Sequence, residues 1–219
     1  MFIPIQPAQF ALVILPRCWP LVFILVFSAA CRNGADRKLN QSKQSDSVVQ
    51  PERVSALVKK GLTQLPWLKR TGYSQRYILL ADLSLPMNEY RLFLVDLEKN
   101  KVLLRLVMAH GSGRGSTIEE AVCSNEPGSN CSSLGRYRFG ANYNGRWGNS
   151  FRLHGLDPGN NRALQRAIVF HYYQYMTDDP ESGSLYYSQG CPMVPKSTYL
   201  KVKKIVESES QPLVLWIYK

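Results

Sequence analysis

Ser188-Gln189-Gly190-Cys191, read with the earlier run Ile168-Val169-Phe170-His171, decides the fold of this chain. Apolar, β-branched residues ending in a histidine read as a buried strand, and the chain then returns through an irregular segment to a Gly-Cys turn. A thiol needs a base to become thiolate near neutral pH, and its attack needs backbone N–H groups aimed at the developing oxyanion. A glycine directly before the cysteine lets the backbone turn sharply and approach a substrate. Gly190 and Cys191 are therefore the expected oxyanion donors, Ser188 is placed to orient the pair, and His171 is the expected base. His110 and His154 lie far upstream, at the ends of other predicted strands. The plain alternative for a lone cysteine is a small buried hydrophobe, so the reading rests on the His171 strand and on what surrounds it.

The chain has 219 residues, 45% of them hydrophobic, enough for one domain with a real core. Lys and Arg outnumber Asp and Glu by 27 to 16, a formal charge of +11. A basic surface favours anionic partners without naming them. No basic helix, zinc-finger spacing or RNP-like aromatic strand accompanies the charge, so a nucleic-acid partner is not expected. No metal or organic cofactor is implied.

Residues 1–31 read as an export segment: an apolar run follows Arg17 and closes on Ser28-Ala29-Ala30-Cys31. The run is short for a membrane span, which needs roughly 20 apolar residues. Small residues before Cys31 resemble a lipoprotein signal, in which that cysteine is lipidated. A signal without lipid and a membrane anchor are the alternatives, and all three export the rest. Residues 32–50 are polar and read as a tether. Cys123 and Cys131 flank a turn-rich loop that brings them within disulfide range, the alternatives being two free buried thiols or half of a metal site. Such a pair leaves Cys191 as the odd thiol, the candidate for reactivity.

Residues 51–75 carry an amphipathic helix with Val54, Leu57, Val58, Leu62 and Leu65 at three- and four-residue steps, ending before Pro66. Strands are expected over 77–83, 90–97 and 102–109, the latter two joined by a hairpin turn at Glu98-Lys99-Asn100-Lys101. Residues 111–135 form a long Gly-, Ser- and Asn-rich loop of the kind that is functional or mobile. Short strands follow over 136–139 and 151–154, then a short helix over 164–167 capped by Asn160 or Asn161, the His171 strand, a helix over 195–208 and a closing strand over 213–218. The stretch 142–148, with Trp147 at its centre, reads either as a substrate-facing loop or as an ordinary tight turn.

The order of the groups, histidine before cysteine, disfavours papain-like folds, although triads recur in different chain orders. A histidine at a strand end followed by Ser-x-Gly-Cys resembles the L,D-transpeptidase catalytic domain of the YkuD type. The closer resemblance is to its murein L,D-transpeptidase branch. It is carried by Ala109-His110-Gly111-Ser112-Gly113, Cys123-Ser124-Asn125, Ser132-Ser133-Leu134-Gly135-Arg136-Tyr137, Gly155-Leu156 with Asn160, Arg166-Ala167-Ile168-Val169-Phe170-His171 and Ser188-Gln189-Gly190-Cys191-Pro192. The resemblance implies a mainly β (α+β) fold over 76–219, an L,D-transpeptidase-like β-sandwich with short peripheral helices. It implies a peptidoglycan L,D-transpeptidase in which Cys191 attacks a stem tetrapeptide at its third residue, releases terminal D-Ala and passes the acyl group to an amine. The same acyl-enzyme hydrolysed by water makes a carboxypeptidase or endopeptidase, and a scaffold without chemistry makes a wall-binding lipoprotein. The implied partners are peptidoglycan stem peptides and a membrane reached through the N-terminus.

The resemblance also brings His110 and Gly111 near the cleft. Two departures bear on specificity. Pro192-Met193 follow the cysteine where the better-known motif has Arg or Asn two positions on, and Tyr172-Tyr173 replace a small pair after the histidine. Bulky aromatics there are expected to narrow the cleft or stack on substrate.

Overall fold

The computed structural model describes residues 51–183 and 185–219. Its eight strands form one continuous mixed sheet. Helices α1 (Pro51–Leu62) and α2 (Leu65–Thr71) precede β1 (Tyr77–Asp82), β2 (Leu92–Asp96) and β3 (Lys101–Leu106). After a long loop come β4 (Gly135–Gly145), β5 (Gly148–Gly155), β6 (Val169–Tyr172), β7 (Met193–Val194), α3 (Lys196–Ser208) and β8 (Val214–Tyr218). The spatial order is β3-β2-β1-β8-β4-β5-β6-β7. Only β1–β8 and β6–β7 pair in parallel. The expected mainly β fold is what forms.

Strands β1, β2 and β8 are apolar on both sides because both sides are covered. Leu79, Ala81, Leu92, Leu94, Leu215 and Ile217 join a large core with Phe139, Phe151, Leu153, Phe170 and Tyr199 of α3. Their alternate neighbours Ile78, Leu80, Phe93, Val95 and Val214 pack under Leu57, Val58 and Leu68 of the two N-terminal helices. Period two assigns successive residues to opposite faces. A sheet covered on both faces therefore shows continuous rather than alternating hydrophobicity. Edge strand β3 is the contrast, alternating between exposed and partly buried positions along Lys101–Leu106.

Beyond β3 the chain crosses to the far edge, where Ala109 N–H donates to the Met193 carbonyl of β7 at 2.7 Å. One bridge thus ties the two edges, and a second, parallel bridge joins Gly111 to Ser188. This closure draws the long loop over the β6–β7 end, where the thiol lies.

Several expected boundaries differ. Pro66 does not end helical structure; it sits in the first turn of α2, where its missing N–H costs nothing. Strands β4 and β5 run on past a register shift between Phe139 and Asn142, so 142–145 belong to β4 and the tip is the turn at Arg146-Trp147, closed by Gly148 at φ 76°. Residues 164–167 are turns, and the helical piece is a 3-10 turn, Pro158–Asn160, capped by Asp157 with Asn160 inside it. The export segment, tether and Cys31 lie outside the described residues.

Candidate active site

Strand β6 and the turn before β7 lie side by side because their ladder begins at the turn: His171 N–H donates to the Pro192 carbonyl at 3.4 Å, and His171 pairs with Met193. Two residues before His171, and so on the same edge of the strand, Val169 N–H points at Cys191 Sγ at 3.5 Å. Both the thiol and the imidazole line a cleft of about 590 Å³. Its other walls come from Pro127, Gly128 and Asn130 of the long loop, Gln165 to Ala167, and Trp147, Tyr173, Tyr186, Tyr187 and Gln189.

The Gly-Cys turn is held from within. Ser188 Oγ donates to the Cys191 carbonyl at 2.6 Å and accepts the Gly190 N–H at 3.1 Å. Gly190 adopts φ 108°, and a Cβ there would stand 2.6 Å from the Cys131 carbonyl oxygen, so only glycine fits. The Gly190 N–H is thereby turned inward onto Ser188.

Burial favours the neutral form of both the thiol and the imidazole. Burial pushes the Cys191 thiol up, against the weaker opposing pull of the Val169 N–H and the Arg166 charge. Burial likewise lowers His171, with the Tyr172 carbonyl partly offsetting it. That carbonyl lies 3.1 Å from His171 Nδ1 and can only accept, so Nδ1 carries the proton and Nε2 is the free basic nitrogen. No carboxylate is needed to orient the ring. The Trp147 indole stacks on it from the hairpin tip, centroids 5.6 Å apart at 24°.

Arg166 was named in the sequence only as part of a matching block, and the structure gives it a place. Its Nη2 donates to the Cys131 carbonyl at 2.6 Å, and its Nη1 to the Ser124 carbonyl at 2.9 Å and Ser133 Oγ at 3.1 Å. The guanidinium thereby pins the long loop under the Gly190 turn while presenting a positive charge near Cys191. Spacing rules could not find it, because its partners come from a loop without periodicity. Gln165 on the cleft wall carried no signal in the sequence either, and Gln189 was legible only as part of the Ser188-to-Cys191 motif.

Other expected residues lie behind the cleft wall. His110 is fully buried, and Arg91 Nη2, a donor only, lies 2.7 Å from its Nδ1. Burial first, then the Arg91 charge, lowers His110 to about 4. It touches the segment leading to Cys191 through its carbonyl, which accepts the Ser188 N–H, and through its ring, packed edge-on against Tyr187. Gly111 packs its backbone against Asn130 and Gly190, where a Cβ would stand 2.1 Å from the Asn130 carbonyl oxygen. Tyr172 faces away from the cleft because it alternates with His171, and it packs on Tyr199. Tyr173 is the aromatic that lines the cleft. His154 lies on β5 beside Arg138.

Cys123, Cys131 and Cys191 are free thiols. The expected Cys123–Cys131 bond is not formed here: the Cys131 side chain is turned onto Gly113, where a Cβ would meet its Sγ at 2.0 Å, while Cys123 Sγ lies 4.0 Å from the Ala121 carbonyl. Among the described residues no His, Cys, Asp and Glu group is arranged to hold a metal ion.

No curated protein matches the chain. Solved structures similar to it include the following two. The helical cell shape determining protein Pgp2 from Campylobacter jejuni is 14% identical, over 73% of this chain and 56% of that one, with a TM-score of 0.43. An L,D-transpeptidase from Xylanimonas cellulosilytica is 12% identical, over 71% of this chain and 69% of that one, with a TM-score of 0.36. The chain thus spans little more than half the length of the Campylobacter protein. The family model of the L,D-transpeptidase catalytic domain matches residues 50–218, a span that takes in all eight strands, both N-terminal helices and the whole cleft, and the chain belongs to that family.

Proposed function

We propose that this cleft carries out L,D-transpeptidation on peptidoglycan stem peptides, with Cys191 as nucleophile and His171 as general base. The observation that carries the reading is the shared wall: a thiol and an imidazole with a free Nε2 face one cleft in a chain of this family. Cys191 Sγ attacks the carbonyl of the third stem residue as its proton passes to His171 Nε2. The Cys191 N–H stabilises the oxyanion. Collapse breaks the peptide bond, His171 returns the proton to the leaving amine of D-alanine, and a thioester remains on Cys191. An acceptor amine then attacks the thioester and gives its proton to His171. The C–S bond breaks, and the sulfur recovers that proton. Water in place of the amine gives hydrolysis through the same acyl-enzyme.

Neutral resting partners suit this sequence, because burial withholds the thiolate until a substrate displaces water and closes the Cys–His pair. A wall substrate requires export, and anchoring through a lipid on Cys31 is part of the proposal. The test is intact-mass analysis of the protein incubated with a tetrapeptide stem or with a carbapenem, beside Cys191→Ala. An adduct on the wild type that the variant lacks is expected. A folded, reduced wild type that forms none with either reagent would sink the acyl-enzyme reading in favour of a wall-binding scaffold.

A further inference from the structure

Trp147, Tyr175 and Tyr187 are the described large aromatic residues that stay exposed, at 41%, 59% and 41%. Two of the three line the Cys191 cleft, and the third packs on a residue of its wall. Trp147 and Tyr187 line it, and Tyr175 packs edge-on against Tyr173, which also lines it, with centroids 5.3 Å apart. Tyr173 in turn packs edge-on against Tyr186, also of the cleft wall, at 4.8 Å, so Tyr175 is joined to the wall through Tyr173. The exposed aliphatic residues Leu103, Val122, Leu164 and Leu200 do not line the cleft. Exposed apolar area concentrated at one site marks a surface that a ligand covers.

The chemistry of these rings narrows the ligand. A stem peptide with charged and amide groups offers little flat apolar surface. A pyranose offers a face of C–H groups that suits the electron-rich face of an aromatic ring, with hydroxyl and acetamido groups around its edge. Edge-to-face packing covers only part of each tyrosine, and Tyr175 keeps most of its surface open. The amides of Asn130, Gln165 and Gln189 on the same cleft can bond the polar edge of a sugar. Resting on the acyl-transfer reading above, we propose that the aromatic rim is a subsite for an N-acetylated amino-sugar ring of the glycan strand. The chain then acts on stems still joined to glycan in preference to released peptides.

The experiment compares one tetrapeptide in two forms, free and attached to its disaccharide, for the full-length wild type, Tyr175→Ala and Tyr175→Trp. The wild type is expected to favour the glycan-linked form by about tenfold in kcat/KM, chiefly through KM, the scale of one or two aromatic contacts. Tyr175→Ala should reduce that ratio most of the way to one, and Tyr175→Trp should keep it. A wild-type ratio near one, or a ratio that Tyr175→Ala leaves unchanged, overturns the proposal. Stem-free glycan oligomers titrated into Cys191→Ala, followed by tryptophan fluorescence, separate the two readings. If neither form is turned over, acyl transfer fails and the titration alone decides. Binding weakened severalfold by adding Tyr175→Ala supports the sugar subsite, and absent binding, or binding that this change does not weaken, removes it.

Discussion

Arg166 helps Cys191 towards thiolate: after the Val169 N–H, its guanidinium is the positive charge that opposes the larger effect of burial on that thiol. The same group satisfies the Cys131 and Ser124 carbonyls, so charge and loop position are coupled in one side chain. Arg166→Ala is expected to raise the thiol further and to slow Cys191 alkylation near neutral pH by about fivefold to tenfold, the size of one partly screened charge interaction. Arg166→Lys keeps a point charge but loses the planar fork, and should recover part of the rate. Iodoacetamide alkylation followed by mass analysis across a pH series reads both effects. Equal rates and an unmoved midpoint in Arg166→Ala would show that the charge does not reach the sulfur.

The β4–β5 hairpin is the element that brings Trp147 over His171, and its stem is built to hold that position. Asn149 Nδ2 donates to Asn142 Oδ1 across the strands at 2.8 Å, Asn142 Nδ2 to Tyr199 Oη at 2.9 Å, and Lys203 Nζ to Asn149 Oδ1 at 2.9 Å, tying the hairpin to α3. This network explains why the strands were legible in the sequence only in part. The inner segments, around Phe139 and Phe151, carry core residues and read as strands. The outer segments carry asparagines that bond one another across the ladder, a pairing without a period-two hydrophobic signal. The His171 strand and the Gly-Cys turn could be read because each is local and chemically distinctive. The placement of β8 between β1 and β4, and of Cys131 beneath Gly190, depends on contacts distant in sequence and left no local trace. Because the stem anchors the tip, Trp147→Ala should leave the fold intact and expose one face of His171 to water. The lowered imidazole would then move back towards the ordinary histidine value of 6.5. The acid limb of kcat/KM, which reports loss of the neutral base, should move to higher pH, with activity below neutrality falling severalfold. A limb that stays in place would show that the stacked indole does not control hydration of the ring.

Across the whole molecule, the closure that builds the cleft also buries a charge. Arg91 is fully enclosed and donates to the Met108 carbonyl at 2.8 Å and the Leu85 carbonyl at 3.0 Å, with His110 Nδ1 at 2.7 Å as its third partner. That third partner accepts only while the imidazole is neutral. A histidine held at about 4 in the fold and near 6.5 when unfolded makes stability depend on pH. Above 6.5 both states leave it neutral and its contribution is fully present. As pH falls from 6.5 to about 4, the unfolded chain takes up the proton first, so stability is lost across that window and levels off below it. The full loss from this residue is on the order of 3 kcal/mol. The lowered His171 acts in the same direction. Urea unfolding at about pH 7 and about pH 4.5 should therefore give a markedly lower midpoint at the acid end, with an unchanged slope. In His110→Gln the amide oxygen can still accept from Arg91, and nothing at that position titrates. Its midpoint should differ less between the two conditions than that of the wild type, even if its stability near neutrality is lower. An undiminished difference in the variant would place the acid sensitivity elsewhere and leave the Arg91–His110 contact as packing alone.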